Sequence, residues 1–471
     1  MKKTTAVLTA ALLLAGGAAV PARASSGIAW HACATGADDE IGTALDAAGA
    51  RCGDLAVPLD FRRPRGRTIT VALARIPATD RAQRRGALMV NPGGPGDAAL
   101  GLALEVARSA PPIAAKYDLI GMDPRFVGRS SPLPCAWRDG FAMRSAGADR
   151  RAFEEGVAGV RDRATECAGV DPELLRHAST RETARDMDAV RAALGEPKLS
   201  YVGWSYGGYL GAVYTQLFPR RVDRFVLDSA TGPDGADFRA MGAPTEEALR
   251  HWAAWAAARD DTYRLGATTE AVMSTVDGLF AAPPIDAHLL PLVFFLPLRF
   301  EAEDTYATLA NDVRAFTQGS HEVPESLAPL LGPAQGTDGM PTFCADRAVS
   351  RDPETYWRDI EAHRADEPHF GPLTRNLDAC AFWPVRPVER LTRLGNAAPV
   401  LMVGSTGDPR TPYPGQLATH RALKGSRLVT LEGAYNHTVF GIVDNACVDD
   451  TVLAYLLGGA LPAANVTCAG R

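Results

Sequence analysis

The stretch Leu199-Ser200-Tyr201-Val202-Gly203-Trp204-Ser205-Tyr206-Gly207-Gly208 decides the fold predicted from this sequence. Its first four residues form a short run typical of a buried strand, and the residues after Gly208 fit a helix that ends near Phe218. Between them, residues 203–207 fit the G-x-S-x-G pattern, in which glycines let a strand turn sharply into a helix and expose the serine hydroxyl. The stretch therefore predicts a strand, a turn that presents Ser205, and a helix.

Similar strand and helix patterns occur on both sides of this stretch. Short apolar runs that resemble strands occupy residues 87–90, 117–122, 224–228, 400–403 and 428–431. Ser179 and Glu182 form a capping-box pattern for a helix that Gly195 and Pro197 end. Strands that alternate with helices predict an α/β fold, with a mainly parallel central sheet covered on both faces.

The middle of the chain has a different pattern, which sets the predicted domain organisation. Residues 232–383 show helical stretches with Pro and Gly breaks and no strand-loop-helix unit. We therefore expect a largely helical cap inserted late in the sheet. The predicted division is a signal peptide at 1–24, a first part of the core at 25–231, the cap at 232–383, and a C-terminal part of the core at 384–471.

The N-terminus predicts export. Lys2 and Lys3 precede an apolar run, and Ala22-Arg23-Ala24 supplies a small-x-small cleavage pattern, so we expect cleavage near Ala24 and secretion. No later apolar run is long enough to cross a membrane, so stable membrane insertion is not expected. The formal net charge of −6 disfavours nucleic acid and anionic membranes as main partners.

The chain has eight cysteines, all beyond the predicted signal peptide. An even number in an exported protein favours disulfide bonds. Taking sequence neighbours as partners gives Cys33–Cys52, Cys135–Cys167, Cys344–Cys380 and Cys447–Cys468. The spacing of Cys and His does not fit a zinc site, so we predict no metal site, and we assign no cofactor.

Three residues predict nucleophilic catalysis. A serine hydroxyl reacts only when a base contacts it and a third group orients that base. In folds with a G-x-S-x-G turn the order along the chain is Ser, acid, His, which selects Ser205, Asp408 and His437. Asp228, which also ends a strand, is the rival acid, and His420 falls within a predicted helix.

A Gly-rich loop predicts the site that binds the developing negative charge. Backbone N–H groups stabilise the oxyanion of a tetrahedral intermediate. The fold normally supplies one from the residue after the nucleophile, here Tyr206, and one from a loop that follows an earlier strand. Pro92-Gly93-Gly94-Pro95-Gly96 is such a loop, with Gly94 as the first candidate and Gly93 as the second.

With these residues in place, the chain resembles the secreted tripeptidyl aminopeptidases, a branch of the prolyl-aminopeptidase-like α/β-hydrolases. The motifs that carry the resemblance are residues 57–60 (VPLD), 91–96 (NPGGPG), 123–130 (DPRFVGRS), 203–208 (GWSYGG) and 407–412 (GDPRTP). The resemblance implies an α/β-hydrolase fold, a helical cap between the sixth and seventh strands, and a triad of Ser205, Asp408 and His437. Asp97 and Phe126 depart from the family pattern, since relatives tend to have small residues after the Gly-rich loop and a glycine after Asp-Pro-Arg.

The first functional hypothesis is an exopeptidase that releases tripeptides or other short peptides from a free N-terminus. Such an enzyme needs carboxylates for the substrate ammonium, and the candidates in the predicted cap are Glu301, Glu303, Asp304 and Asp346. An esterase or a specialised small-molecule hydrolase with the same triad is the alternative, with the apolar segment 289–300 as pocket lining or cap core. A binding protein on a retired hydrolase scaffold is the third possibility, which the intact triad disfavours.

Overall fold

The computed structural model describes residues 27–135, 143–167, 169–331 and 339–470. The predicted signal peptide and its cleavage position lie outside the described residues.

A single ten-stranded sheet forms the centre of the described chain, in the order β1-β2-β3-β5-β4-β6-β7-β8-β9-β10. Strand β3 pairs antiparallel with β2 and β5, β1 pairs antiparallel with β2, and all the remaining pairs are parallel. The strands are β1 (Ala29–His31), β2 (Arg51–Pro58), β3 (Thr68–Ile76), β4 (Gly86–Asn91), β5 (Tyr117–Met122), β6 (Leu199–Trp204), β7 (Val222–Asp228), β8 (Val400–Ser405), β9 (Arg427–Glu432) and β10 (Val466–Ala469). The predicted α/β class with a mainly parallel sheet is confirmed.

Helices flank the sheet on both faces. Before β8 the core helices are α1 (Glu40–Ala47), α2 (Leu102–Ser109), α3 (Pro111–Lys116), α4 (Arg150–Thr165), α5 (Pro172–Arg176), α6 (Thr180–Ala193) and α7 (Tyr206–Leu217). One buried cluster joins α6 and α7 to one face of the sheet, through side chains such as Met187 and Val213. A second cluster on the opposite face includes Leu104 of α2 and Ile113 of α3. Both faces of the parallel strands are therefore apolar and buried, as the continuous apolar runs of the sequence predict.

The helical insertion lies between β7 and β8. Its helices are α8 (Gly242–Ala257), α9 (Asp260–Tyr263), α10 (Thr269–Ala281), α11 (Leu290–Phe295), α12 (Glu303–Thr317), α13 (Ala328–Leu331), α14 (Met340–Asp346), α15 (Pro353–His363) and α16 (Gly371–Thr374). The described part of this insertion contains no strand, and it has its own core around Trp252, Phe294 and Tyr306. We call this insertion the cap. The family resemblance implies a cap between the sixth and seventh strands. Here the short edge strand β1 shifts the strand numbers by one, so the cap follows β7.

Two further helices complete the fold after β8, α17 (Tyr413–Ala422) and α18 (Ala446–Gly458), the second of which packs on the α2 face of the sheet. A separate small cluster joins Phe153 and Val160 of α4 to Ile360 of α15. The cap is thus supported by a helix that lies far before the predicted cap boundary at residue 232.

The start of α6 shows half of the predicted capping box. Ser179 Oγ accepts a hydrogen bond from the backbone N–H of Glu182 at 3.4 Å, and so caps the helix. The Glu182 carboxylate turns away from the helix end, with Arg185 at 3.1 Å and His177 at 3.5 Å. The reciprocal bond of a capping box is replaced by a buried ion pair.

Four disulfides connect the described cysteines, in the pairs Cys33–Cys52, Cys135–Cys167, Cys344–Cys380 and Cys447–Cys468. These are the pairs of sequence neighbours named above. Each closes a local loop, with sequence separations of 19 to 36 residues. Within the described residues, no helix combines the length and apolar character needed to cross a bilayer.

Candidate active site

Ser205 lies at the turn between β6 and α7 in a left-handed backbone conformation, with φ of +58°. A Cβ added at Gly203 would lie 2.4 Å from the carbonyl oxygen of Gly207. A Cβ added at Gly207 would lie 2.6 Å from the carbonyl oxygen of Asn91. Since both contacts are with backbone atoms, the two glycines are required for the close approach that turns the chain and presents the serine.

The side chains of Ser205, His437 and Asp408 form a continuous hydrogen-bonded relay. Ser205 Oγ lies 2.8 Å from His437 Nε2. His437 Nδ1 lies 3.0 and 3.1 Å from the two carboxylate oxygens of Asp408. Ser205 follows β6, Asp408 follows β8 and His437 follows β9, so the carboxyl ends of parallel strands in the β6-β7-β8-β9 part of the sheet bring the three side chains to one edge. This geometry is that of a nucleophile, a base and an acid that orients the base.

The Asp408 carboxylate is buried and is surrounded by hydrogen-bond donors. It accepts hydrogen bonds from the backbone N–H groups of Arg410 and Thr411 and from the Thr411 hydroxyl, at 2.7 to 2.9 Å. Burial alone would raise the pKa of Asp408, but the nearby His437 ring and these hydrogen bonds hold it below its ordinary value. The carboxylate therefore stays charged and fixes a proton on His437 Nδ1, which leaves Nε2 free to accept one from serine.

The rival acid, Asp228, has another task. Its carboxylate accepts the backbone N–H of Val439 at 3.0 Å and that of Phe440 at 2.6 Å. No hydrogen bond joins Asp228 to the imidazole ring in the described structure. Burial raises the pKa of Asp228 to about 6. Asp228 thus holds the backbone that follows His437, whereas Asp408 contacts the ring itself.

The cap contacts the loop that carries His437 from the other side. We call residues 435–437 the histidine loop. The carbonyl of Arg299 accepts the backbone N–H of His437 at 2.8 Å. Asn436 Oδ1 accepts the backbone N–H of Glu301 at 3.0 Å, and Glu301 in turn accepts the backbone N–H of Tyr435 at 2.9 Å. Residues 299–301, between α11 and α12, therefore fix three consecutive residues of the loop that carries the base.

Two backbone N–H groups remain available near Ser205. Neither Gly94 nor Tyr206 donates its N–H to a partner within the described part of the chain. Gly93, by contrast, donates its N–H to Asn91 Oδ1 at 3.1 Å. A Cβ at Gly93 would lie 2.7 Å from the Trp204 carbonyl oxygen, so the Gly-rich loop lies directly against the serine turn. This arrangement favours Gly94 over Gly93 as the second oxyanion donor.

A cavity of about 1510 Å³ lies over Ser205 and His437, between the sheet edge and the cap. The segment 289–300 serves both roles considered from the sequence. Phe295, Leu296 and Phe300 line the cavity, whereas Leu292 and Phe294 belong to the cap core. Phe126 does not line the cavity and packs in the core on the α6 face of the sheet.

The four cap carboxylates expected to bind a substrate ammonium do not line this cavity. Glu301 pairs with His251 at 2.8 Å and with the histidine loop, and Glu303 pairs with Arg259 on the cap surface. Asp304 is exposed at the start of α12, and Asp346 accepts hydrogen bonds from Thr180. The prediction is therefore corrected for these residues, because each carboxylate already has a structural partner or faces away from the cavity.

The cavity carries a different cap carboxylate, Asp312. It follows Thr305 and Thr308 on one side of α12, and all three line the cavity. No hydrogen bond or ion pair engages Asp312 in the described structure, and burial raises its pKa to about 6. The spacing of these polar residues beside the apolar face of α12 is the sequence signal that identifies the cavity-facing stripe.

Asp97, noted in the sequence for its position directly after the Gly-rich loop, also lines the cavity. Burial raises the pKa of Asp97, and the positive charge of Arg299 acts in the opposite direction.

Among the described residues, one group of side chains has the proximity needed to bind a metal ion, namely Asp60, His177 and Glu182. It lies away from the serine. Arg62 contacts Asp60 at 2.9 Å and Arg185 contacts Glu182 at 3.1 Å, so both carboxylates already have cationic partners. These charges disfavour a second cation at the same place.

Comparisons with known proteins give relatives that extend over most of the chain. A family model described as "TAP-like protein" matches residues 367–468. The chain is 36% identical to the tripeptidyl aminopeptidase of Streptomyces lividans, over 96% of this chain and 89% of that protein. It is 29% identical to the serine protease Hip1 of Mycobacterium tuberculosis, over 89% of this chain and 87% of that protein. It is also 31% identical to carboxylesterase B of the same organism, over 93% and 89% of the two chains.

Among solved structures, the proline iminopeptidase-related protein of Thermus thermophilus aligns with a TM-score of 0.41 and 15% identity. The alignment covers 86% of this chain and 99% of that one. The sequence relatives, which extend over almost the whole chain, identify the family. The chain belongs to the tripeptidyl aminopeptidase family of α/β-hydrolases and is a serine hydrolase.

Proposed function

We propose that this protein is a secreted exopeptidase that releases short peptides, foremost tripeptides, from the free N-terminus of its substrates. The observation that carries the proposal is the relay of Ser205, His437 and Asp408 on the wall of a large cavity. The relatives named tripeptidyl aminopeptidase and serine protease support peptides as the substrate class.

In this mechanism Ser205 Oγ attacks the scissile carbonyl while His437 Nε2 takes the hydroxyl proton. The N–H groups of Tyr206 and Gly94 bind the oxyanion of the tetrahedral intermediate. His437 then donates the proton to the leaving amine, which departs and leaves an acyl-enzyme on Ser205. Water, deprotonated by the same histidine, attacks the ester and releases the N-terminal fragment.

Recognition of a free N-terminus needs an acceptor for the ammonium group, since a buried ammonium without a partner is unstable. Asp312 fits this role because it lines the cavity and its carboxylate has no partner of its own in the described structure. A substrate ammonium beside it would form a charge-assisted hydrogen bond and would lower the raised pKa of the carboxyl.

The test compares one peptide with a free and an acetylated N-terminus, with the same leaving group. A charge-assisted hydrogen bond contributes about 1.5–3 kcal/mol, so acetylation should reduce kcat/KM at least about tenfold. The Asp312→Asn variant should lose most of this discrimination. Asp304→Asn, on the same helix but outside the cavity, is the matched control and should behave as the wild type. Equal cleavage of both peptides by the wild-type enzyme would refute the exopeptidase proposal.

An esterase is the second candidate, favoured by the apolar cavity wall that includes Phe295, Phe300 and Phe343. The relative named carboxylesterase B supports the same alternative. If simple esters are hydrolysed with a higher kcat/KM than every peptide of a matched panel, this candidate replaces the exopeptidase.

We also propose that residues 1–24 are removed during export. The four disulfides support an oxidising location. Mass spectrometry of the protein recovered from culture medium should give an N-terminus close to Ser25. A cytoplasmic protein that keeps Met1 would contradict export.

A further inference from the structure

Arg410 is an uncompensated cation at the wall of the cavity. Its backbone N–H donates to Asp408 Oδ1 at 2.8 Å, so its side chain begins beside the catalytic acid. The residue is only 9% exposed, yet it lines the cavity together with Ser205 and His437. The guanidinium lies over the ring of Phe295, with 3.4 Å from Cζ to the ring centroid.

The polar contacts of this guanidinium are few and weak. Nη1 lies 3.3 Å from Thr245 Oγ1 and 3.4 Å from the carbonyl oxygen of Pro409, and Nη2 has no hydrogen-bond partner among the described residues. No carboxylate lies within ion-pair distance in the described structure, and the nearby Asp408 is already bonded to His437. Burial lowers the pKa of Arg410 to about 9, and the positive charge of Arg299 acts in the same direction.

Arg299 is a second cation on the same wall. Its carbonyl binds the backbone N–H of His437, and its side chain lines the cavity. The guanidinium lies 4.9 Å from the ring centroid of Phe300 and makes no ion pair within the described part of the chain. Its nearest opposing charge is Asp97, beyond ion-pair distance. The backbones of both arginines are thus hydrogen-bonded to triad residues, and neither side chain forms an ion pair with a carboxylate in the part of the chain that the structure describes.

We propose that Arg410 and Arg299 form a subsite for a substrate carboxylate close to the scissile bond. Arginine is suited to this role because its planar guanidinium binds a carboxylate through two parallel hydrogen bonds. A carboxylate would give the free Nη2 of Arg410 an acceptor and would relieve the repulsion between the two cations. The cavity then offers the Asp312 carboxylate to the substrate ammonium and the two arginines near the triad to the substrate carboxylate.

This inference rests on the proposed peptidase function and adds a preference to it. Within a peptide, the carboxylate can come from an acidic side chain on either side of the scissile bond. It can also be the free C-terminus of a leaving group that is a single residue. All three sources place the same chemical group near the acyl-transfer centre, and substrate pairs distinguish them.

The test measures kcat/KM for three pairs of peptides that have the same free N-terminus and differ in one carboxylate. The pairs are Glu against Gln before the scissile bond, Glu against Gln after it, and a single-residue leaving group as free acid against amide. The wild-type enzyme should prefer the acidic member of at least one pair about tenfold or more. If no member of any pair is cleaved, the peptidase function itself is refuted, whereas equal cleavage within every pair would refute only the subsite.

Variants assign the preference to the arginines. Arg410→Gln and Arg299→Gln should each reduce the preference to below about threefold. Arg250→Gln, on the exposed side of α8 and outside the cavity, is the matched control and should retain it. Labelling of Ser205 by a fluorophosphonate reports that each variant keeps a folded site. If Arg410→Gln does not fold, Arg299→Gln decides, because its side chain is exposed in the cavity. An acid preference that survives in every folded variant would overturn the assignment.

Discussion

Replacing each of two buried aspartates by asparagine separates the acid that orients His437 from the acid that supports its loop. Asp408 contacts the imidazole through both oxygens, at 3.0 and 3.1 Å, whereas Asp228 binds the backbone N–H groups of Val439 and Phe440. The two substitutions remove one charge each and change the side-chain volume very little.

In Asp408→Asn, the amide cannot hold the His437 tautomer that leaves Nε2 free, nor can it stabilise the imidazolium. An equivalent substitution in a serine protease triad lowers kcat about 10⁴-fold, which corresponds to about 5 kcal/mol. We expect a loss of this order here. In Asp228→Asn, the amide oxygen can still accept both N–H groups but without the negative charge, and the weaker hydrogen bonds cost about 1.5–3 kcal/mol of stability. Its kcat should stay within about tenfold of the wild type.

The assay combines steady-state kinetics on one good substrate with thermal unfolding of the same preparations. Fluorophosphonate labelling of Ser205 gives the fraction of competent sites, so a low rate is not confused with a low content of folded enzyme. The expected pattern is a folded, almost inactive Asp408→Asn and a less stable, active Asp228→Asn. A nearly normal Asp408→Asn beside an inactive Asp228→Asn would refute the assignment of the acid.

Ser205→Ala should abolish acyl-enzyme formation and lower activity about 10⁴- to 10⁶-fold at unchanged unfolding temperature, and near-native turnover would exclude this serine as nucleophile. Asp346→Asn should flatten the pH dependence of stability. Burial raises the pKa of Asp346 to about 7, so its contribution to stability is complete below the unfolded pKa near 3.8 and is lost as pH rises towards 7. Unfolding temperatures of both proteins between pH 4 and 7.5 test this, and parallel curves would contradict it. The double substitution of Cys344 and Cys380 by serine should lower stability by about 2–4 kcal/mol in a denaturant titration, because the bond restricts a loop with a sequence separation of 36 residues. An unchanged midpoint would show that this bond does not contribute.

The sequence predicts the parallel half of the sheet well. Strands β4 to β9 each contain a short apolar run, because their faces are buried, and the catalytic side chains follow the carboxyl ends of β6, β8 and β9. The triad is predicted by the same pattern, because Ser205, Asp408 and His437 each follow a predicted strand. The antiparallel strands β2 and β3 were not predicted, since their pairing depends on contacts distant in sequence and their patterns are less uniform. Strand β10 has four residues, and its position depends on β9 and on the Cys447–Cys468 bond.

The cap carboxylates show where sequence reasoning stops. Whether an acid on α12 faces solvent, another helix or the cavity depends on the rotation of that helix about its axis. That rotation is set by the packing of Tyr306, Leu309 and Val313 in the cap core. Asp304 and Asp312 are chemically alike and lie on the same helix, yet only Asp312 reaches the cavity. The sequence shows that both acids are on the helix, but only the tertiary packing determines which of them faces the cavity.

The hydrogen bonds between residues 299–301 and the histidine loop limit how far the cap can move and which cap could replace it. A cap that swung away at this point would withdraw the backbone partners of Tyr435, Asn436 and His437, and so would disable the base at the moment of substrate entry. Substrates therefore have to enter while the cap keeps its contacts with the histidine loop. A chimera that received a relative's cap would need a matching 299–301 segment before its new pocket could be used.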